Sequence, residues 1–304
     1  MLNFLPAPLR GALAATLLLL NILFWVPWLM LLALTKLVLP FKPVRLRLDP
    51  WILRIAESWI WGNSAWMRLT QPMAWDVSGV DHLSPHQWYL VVCNHQSWVD
   101  ILVLQHVLNR RIPLLKFFLK QELIWVPIMG LAWWALEFPF MQRHSEAYLK
   151  RHPEQRGQDA ATTRAACQKY ALVPTSVMNF LEGTRFTPAK HARQQSPYRH
   201  LLKPKAGGVS LALDAMGERF SAVLDVTLVY PDGVPTFWDF LQGRMARVVV
   251  QVRTLAVPQA HASDGDSSEQ AWRKVCLPWV NQLWHDKDMA IARALQGQDS
   301  RLNR

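Results

Sequence analysis

Asn94-His95-Gln96-Ser97-Trp98-Val99-Asp100 sets an imidazole and a carboxylate five residues apart, directly after the apolar run Tyr89–Cys93. At that spacing on one helix the two side chains point in different directions and do not pair. They meet if Tyr89–Cys93 is a buried strand, Ser97 caps a new helix, and Asp100 in its first turn reaches back to His95. A carboxylate so placed fixes the imidazole tautomer and stabilises the protonated ring, leaving the other nitrogen to take a proton from a substrate. On these two residues alone, a hydrogen-bonded loop is the ordinary explanation. A second element changes the balance. The strand-like run 175–181 empties into Glu182-Gly183-Thr184-Arg185, again at a strand's C-terminal end, where open α/β sheets bind ligands. Gly183 lets the backbone approach a bound group, and the Arg185 fork can grip a phosphate with two hydrogen bonds.

His-x4-Asp followed far along the chain by Glu-Gly-Thr-Arg resembles the glycerolipid acyltransferases, in particular the 1-acylglycerol-3-phosphate (lysophosphatidic acid) acyltransferases. The likeness continues through Phe138-Pro139-Phe140-Met141-Gln142-Arg143, through 202–208 and through 283–288, from about residue 75 to about residue 290. These last segments are similar to a subgroup containing bacterial inner-membrane members. One departure stands out: the family's fourth block carries a proline turn after a strand, whereas here none follows 223–227 until Pro231. The resemblance implies that Glu182 and Arg185 bind the glycerol phosphate of an acceptor, with Arg143 as a second phosphate contact. It also implies direct attack of the acceptor hydroxyl on an acyl thioester, with no acyl-enzyme. Gly183 and Thr184 are expected to shape a turn whose backbone amides face the phosphate.

Acyl transfer to a hydroxyl needs a base, donors for the developing oxyanion, and placement of both substrates. His95 is the base and Asp100 its orienting partner. Ser97, as a helix cap, has its hydroxyl committed to backbone amides. Cys93, on an apolar strand, reads as a small core hydrophobe and not a nucleophile. No Cys/His cluster has ligand spacing, so neither a metal nor a cofactor is expected beyond the co-substrate, acyl-CoA or acyl carrier protein.

Three scattered cysteines argue against a disulfide framework. A net charge of +11 combined with sixteen tryptophans fits a protein resting on anionic lipid, where indole rings sit at headgroup level. No nucleic-acid recognition module appears, and the aromatics lie in apolar runs, so nucleic acid is not an expected partner. Residues 11–35 carry no charge and suffice to cross a hydrocarbon core of about 30 Å as a helix, although Asn21 and Pro27 interrupt them. This reads as an anchor, either spanning or as a shallow kinked hairpin. Lys36, Lys42, Arg45 and Arg47 follow it against Arg10 before it, which places the remaining chain on the cytoplasmic side, by resemblance at a bacterial inner membrane.

Residues 51–69 suit an amphipathic helix lying on the bilayer. Residues 123–141 are apolar, yet a crossing there would put His95 and Arg185 on opposite faces of the membrane. Pro127, Gly130, Glu137 and Pro139 break that stretch into helix fragments feeding a strand. An exposed helix is expected at 154–170, a polar basic loop at 185–205, a helix at 205–216 and strands at 221–229 and 245–255. A linker at 261–268 and a closing helical region at 269–295 complete the pattern. Strands alternating with helices give an α/β fold: a mixed, partly parallel sheet flanked by helices. The expected division is an N-terminal membrane anchor and interfacial helix over 1–72 and an acyltransferase α/β domain over 73–304.

Overall fold

A computed structural model describes residues 2, 4–141, 151, 158–260 and 268–302. The chain opens with two long helices, α1 (Ala7–Val38) and α2 (Lys42–Thr70), then β1 (Ala74–Ser78), β2 (Tyr89–Cys93) and α3 (Val99–Leu108). Next come β3 (Leu115–Phe117), β4 (Leu119–Lys120), a 3-10 turn (Gln121–Trp125), α4 (Met129–Ala135) and β5 (Phe140–Met141). They are followed by α5 (Gln158–Tyr170), β6 (Ser176–Phe180), α6 (Pro188–Gln194) and α7 (Gly207–Met216). The last elements are β7 (Ala222–Val229), α8 (Phe237–Leu241), β8 (Arg247–Leu255) and α9 (Ser268–Leu302).

Six strands form one sheet in the order β1-β8-β7-β2-β6-β3. Every neighbouring pair is parallel except β7 with β8. Strand β2 lies in the middle and all five of its residues are buried, which is why its sequence is an unbroken apolar run and not an alternating one. Tyr89, Val91 and Cys93 face a core shared with α1, α2, α3 and α4. Leu90 and Val92 face the opposite core, shared with α5, α7 and α9. A mixed sheet covered on both faces by helices is the fold expected from the alternation of strands and helices.

The N-terminal pair belongs to this core. Ala14, Leu29, Trp59, Trp66 and Met67 join the same cluster as Val91 and Leu224, so the packing does not divide at residues 72/73. Helix α1 runs unbroken through Asn21 and Pro27. The Asn21 amide donates to Trp59 O and Asn63 Oδ1, both at 2.9 Å, pinning α1 to α2 with a polar pair instead of kinking it. Both ends of α1 are tied to the sheet domain. Near its start, Arg10 Nε donates to Gln242 O at 2.8 Å. At its end, the buried Lys36 ammonium pairs with Asp49 at 2.5 Å and with Glu137 at 3.1 Å.

Helix α2 is longer than the amphipathic segment read from sequence, and Ile52, Ala56, Trp59 and Ile60 sink one face of it into the core. Residues 123–141 do form short pieces, with positive φ at Ile128 (65°) and Glu137 (57°) where the fragments turn. Helix α5 exposes most of its surface, with Thr162, Arg164, Gln168 and Lys169 outside, and sinks one face through Thr163, Cys167 and Tyr170. Residues 154–157 and the expected linker at 261–267 lie outside the described residues. Helix α6 was not anticipated inside the basic loop, although Thr187 caps it by accepting from Lys190 N and Pro188 starts it.

On the face opposite α1 and α2, the fully buried Lys287 of α9 pairs with the fully buried Asp225 of β7 at 2.5 Å. The ammonium also donates to Val226 O at 2.5 Å and Thr227 Oγ1 at 3.1 Å. Arg253 reaches the same carboxylate at 2.7 Å.

Candidate active site

Parallel pairing brings the two motifs to one edge. Strands β2 and β6 are neighbours with Cys93 opposite Phe180, so the chain leaves both strands at the same end of the sheet. Three hydrogen bonds then join the two loops. Leu181 N–H donates to Cys93 O at 3.3 Å, and Phe186 N–H donates to His95 O at 2.7 Å. The third runs through a side chain: His95 N–H donates to Glu182 Oε1 at 2.7 Å.

Asn94 extends the sheet with its side chain. Its Oδ1 accepts from Leu228 N–H at 2.9 Å and its Nδ2 donates to Leu228 O at 2.8 Å, the pairing a backbone would make. The strand therefore ends with His95 fixed at the rim. His95 Nδ1 lies 2.8 Å from Asp100 Oδ2, as the sequence reading expects. The same oxygen accepts the N–H groups of Gln96 (2.6 Å) and Ser97 (3.0 Å), so it holds the loop and the imidazole together. Asp100 sits in the first turn of α3, where the helix dipole favours a carboxylate. Its other oxygen accepts from the Tyr230 hydroxyl at 2.6 Å. Asp100 is wholly buried, whereas the His95 side chain keeps 14% of its surface exposed. Nδ1 is occupied by the carboxylate, and Nε2 is the ring nitrogen that this contact leaves open.

The ring of Phe180 stacks on the imidazole with centroids 3.9 Å apart and planes 14° apart. Phe117 and then Phe138 continue the row at 6.0 Å and 6.2 Å. An aromatic wall thus runs from the base into the interior.

Ser97 is placed differently from the expected cap. The helix begins after Trp98, and the Ser97 hydroxyl donates to Pro235 O at 2.7 Å while accepting from Val99 N–H at 3.2 Å. Its hydroxyl is committed, to a carbonyl as well as an amide. Cys93 is fully buried, and burial pushes its thiol well above the ordinary range, so it is no nucleophile here.

Glu182 departs from the role the resemblance implied. It is fully buried, and its two oxygens accept from His95 N–H and from Leu202 N–H at 2.9 Å. Both oxygens thereby tie the two loops together. Burial pushes its carboxyl up to about 7, opposed by those two amides. Gly183 takes φ +66°, and its N–H is spent on Phe180 O at 2.9 Å, so it makes the turn without offering that amide to a phosphate. A Cβ there would lie 3.4 Å from the Lys205 ammonium nitrogen. Thr184 Oγ1 accepts from Lys190 Nζ at 2.7 Å, and the same ammonium donates to Arg185 O at 3.0 Å. The Arg185 guanidinium lies over the Trp98 ring, 4.3 Å from its centroid. Cations from Arg185, Lys190 and Lys205 thus surround one turn beside the base. Arg143 lies outside the described residues.

Sequence reasoning missed Tyr230, the Phe180 stack and the Asn94 clamp. The position of Tyr230 just past β7, at the same sheet edge as His95, carries the signal, but only once β7 is known to neighbour β2. Among the described residues no group of His, Cys, Asp and Glu has the geometry to hold a metal ion.

A family model described as Acyltransferase matches residues 74–231. Similar curated proteins include the 1-acyl-sn-glycerol-3-phosphate acyltransferase delta of Homo sapiens, 26% identical over 242 residues that cover 75% of this chain and 57% of that protein. The gamma form of Mus musculus is 24% identical over 249 residues, 74% of this chain and 60% of that protein. The chain therefore spans less than two thirds of the length of these relatives. A crystal structure of the 1-acyl-sn-glycerophosphate acyltransferase of Thermotoga maritima covers 96% of each chain at a TM-score of 0.54 and 15% identity, a likeness of fold. The matched segment runs from the start of β1 to just past Tyr230 and holds both the His95 loop and the Arg185 turn. This chain, matched over more than half its length, belongs to the acyltransferase family.

Proposed function

We propose that the protein moves a fatty acyl group from a thioester, acyl-CoA or acyl carrier protein, to the free hydroxyl of 1-acylglycerol 3-phosphate, forming phosphatidate. The observation that carries this reading is the 2.8 Å contact of His95 with a buried Asp100, one loop away from an Arg185 that has no carboxylate partner among the described residues. His95 Nε2 takes the hydroxyl proton as the oxygen attacks the thioester carbonyl. The tetrahedral intermediate collapses by breaking the C–S bond, and the imidazolium returns the proton to the leaving thiolate. Asp100 stabilises the imidazolium between these steps. Arg185 holds the acceptor phosphate, with Arg143 as a further contact, while Glu182, Gly183 and Thr184 set the turn that carries Arg185.

The acceptor is a membrane lipid, and the seat on the membrane follows from α1. This helix is apolar enough to cross a bilayer, and only 17% of its most apolar stretch is buried. Its tethers at Arg10 and Lys36 are about 39 Å apart along the helix, and both attach to one domain. That supports a helix lying in one leaflet with Leu20, Phe24, Trp28 and Leu31 turned to lipid, in place of a perpendicular crossing. The charge of +11 supports an anionic, cytoplasm-facing surface such as a bacterial inner membrane.

The test is purified protein with a labelled acyl thioester and a panel of lysolipids. Phosphatidate from 1-acylglycerol 3-phosphate supports the reading. Preference for lysophosphatidylglycerol moves it to another headgroup, free fatty acid alone makes the protein a thioesterase, and lipid binding without turnover makes it a non-catalytic surface protein.

A further inference from the structure

Arg185, like Arg54, is a cation without a carboxylate partner among the described residues. Arg253 lies on Asp225 and Arg164 on Asp214, each through a guanidinium nitrogen within 3.2 Å of the carboxylate. Arg185 has no such partner among the described residues, and its guanidinium instead lies over the indole of Trp98 at 4.3 Å. Its main chain is also held, since Lys190 donates to its carbonyl and the next residue, Phe186, donates to His95 O. Trp98 belongs to the His95 loop, directly before the helix that carries Asp100, so a single stacking contact joins the cation to the loop of the base.

A guanidinium stacked on a ring gives up one face and keeps its N–H edge, the part that meets phosphate oxygens in pairs. A free arginine side chain samples many rotamers, and ordering it on binding costs affinity. A ring already beneath it removes part of that cost. Half of the Trp98 surface is exposed (51%), so burial of the indole does not account for its place.

We infer that Trp98 is a positioning residue for acceptor recognition: its ring, 4.3 Å from the Arg185 guanidinium, holds that group beside the His95 loop with N–H donors left for the acceptor phosphate. The inference rests on Arg185 gripping that phosphate. The test is a double-mutant cycle on the full chain, with 1-acylglycerol 3-phosphate varied at saturating acyl thioester and vesicle binding measured in parallel. Trp98→Ala is expected to raise the acceptor KM about five- to tenfold, with kcat within about twofold of wild type. Trp98→Phe, which keeps a ring face, is expected to stay within about twofold of the wild-type KM. In the Arg185→Ala background, Trp98→Ala is expected to add nothing further.

Additive effects in the double variant overturn the inference, as does a fall in kcat with KM unmoved. So does a loss of vesicle binding with KM unmoved, which would make Trp98 a lipid contact. If Arg185→Ala itself leaves KM unchanged, the phosphate role of Arg185 fails and this inference falls with it, and that arm alone tells the two failures apart. A wild-type chain with no activity on this acceptor overturns the functional reading instead.

Discussion

His95 and Glu182 are joined through the main chain of one and the carboxylate of the other: His95 N–H donates to Glu182 Oε1 at 2.7 Å. The second oxygen of Glu182 accepts from Leu202 N–H, so one buried side chain fixes the base's loop, the Arg185 turn and the segment leading to α7. A charged group in that position carries a signature in pH.

Burial raises the Glu182 carboxyl from 4.5 to about 7. The folded chain then keeps a proton that the unfolded chain has already lost, so this group's contribution to stability falls as pH rises from about 4.5 to about 7 and is level above that. At about 1.4 kcal/mol per pH unit the whole change is on the order of 3 kcal/mol. Denaturant unfolding across that window should show wild type losing stability relative to Glu182→Gln. Parallel curves for the two proteins would show that Glu182 is ionised throughout.

His95→Ala is expected to lower kcat by roughly 10²–10⁴-fold, the usual worth of a general base, with unfolding and vesicle binding unchanged. Asp100→Asn should approach the same loss, because Nδ1 then loses its charged partner. Tyr230→Phe removes only the hydroxyl donor to Asp100 Oδ1, and about a tenfold fall in kcat is expected. Initial rates at saturating substrates decide the order. Full activity in His95→Ala would refute the assignment of the base.

Lys287→Met should destabilise the fold by roughly 3–5 kcal/mol, because it leaves the Asp225 carboxylate buried with Arg253 as its remaining partner. The double change Asp225→Asn with Lys287→Met removes both charges and should recover much of that loss. Chemical denaturation of the three variants measures it. A double variant less stable than Lys287→Met would show that Arg253 by itself satisfies the Asp225 carboxylate.

With α1 lying in one leaflet, as proposed, residues near both of its ends are expected on the same side of a bilayer. Phe4→Cys and Arg45→Cys, both at exposed positions, should react with an impermeant maleimide added from one side of sealed vesicles. The three native cysteines are buried and should stay silent. Labelling of the two positions from opposite sides would mean that α1 crosses the membrane and that one tether has parted.

Local chemistry was legible where it depended on neighbours in sequence. The apolar runs Tyr89–Cys93 and 175–181 mark a buried strand and a strand-like segment in sequence, and the His95–Asp100 pair follows from a strand handing over to a helix. Partners brought by the sheet order were not legible: Tyr230 reaches Asp100 only because β7 lies beside β2. Glu182 was read as a substrate contact by resemblance. In the structure two backbone amides, from His95 and Leu202, occupy that carboxylate. The apolar stretch of α1 identified a helix but could not say whether lipid or protein would cover it. Asn21, read as an interruption, is a polar clasp to α2 because α2 offers it Trp59 O and Asn63.

The bond from Arg10 to Gln242 spans 232 residues of chain. At translation rates of about 5–20 residues per second, α1 leaves the ribosome roughly 12–46 s before its distal partner exists. For that interval the start of α1 lacks the carbonyl that holds it, whereas Lys36 waits only 101 residues for Glu137. The first helix to be made is thus held early by α2 through Asn21 and secured at its start only when the last third of the chain has formed.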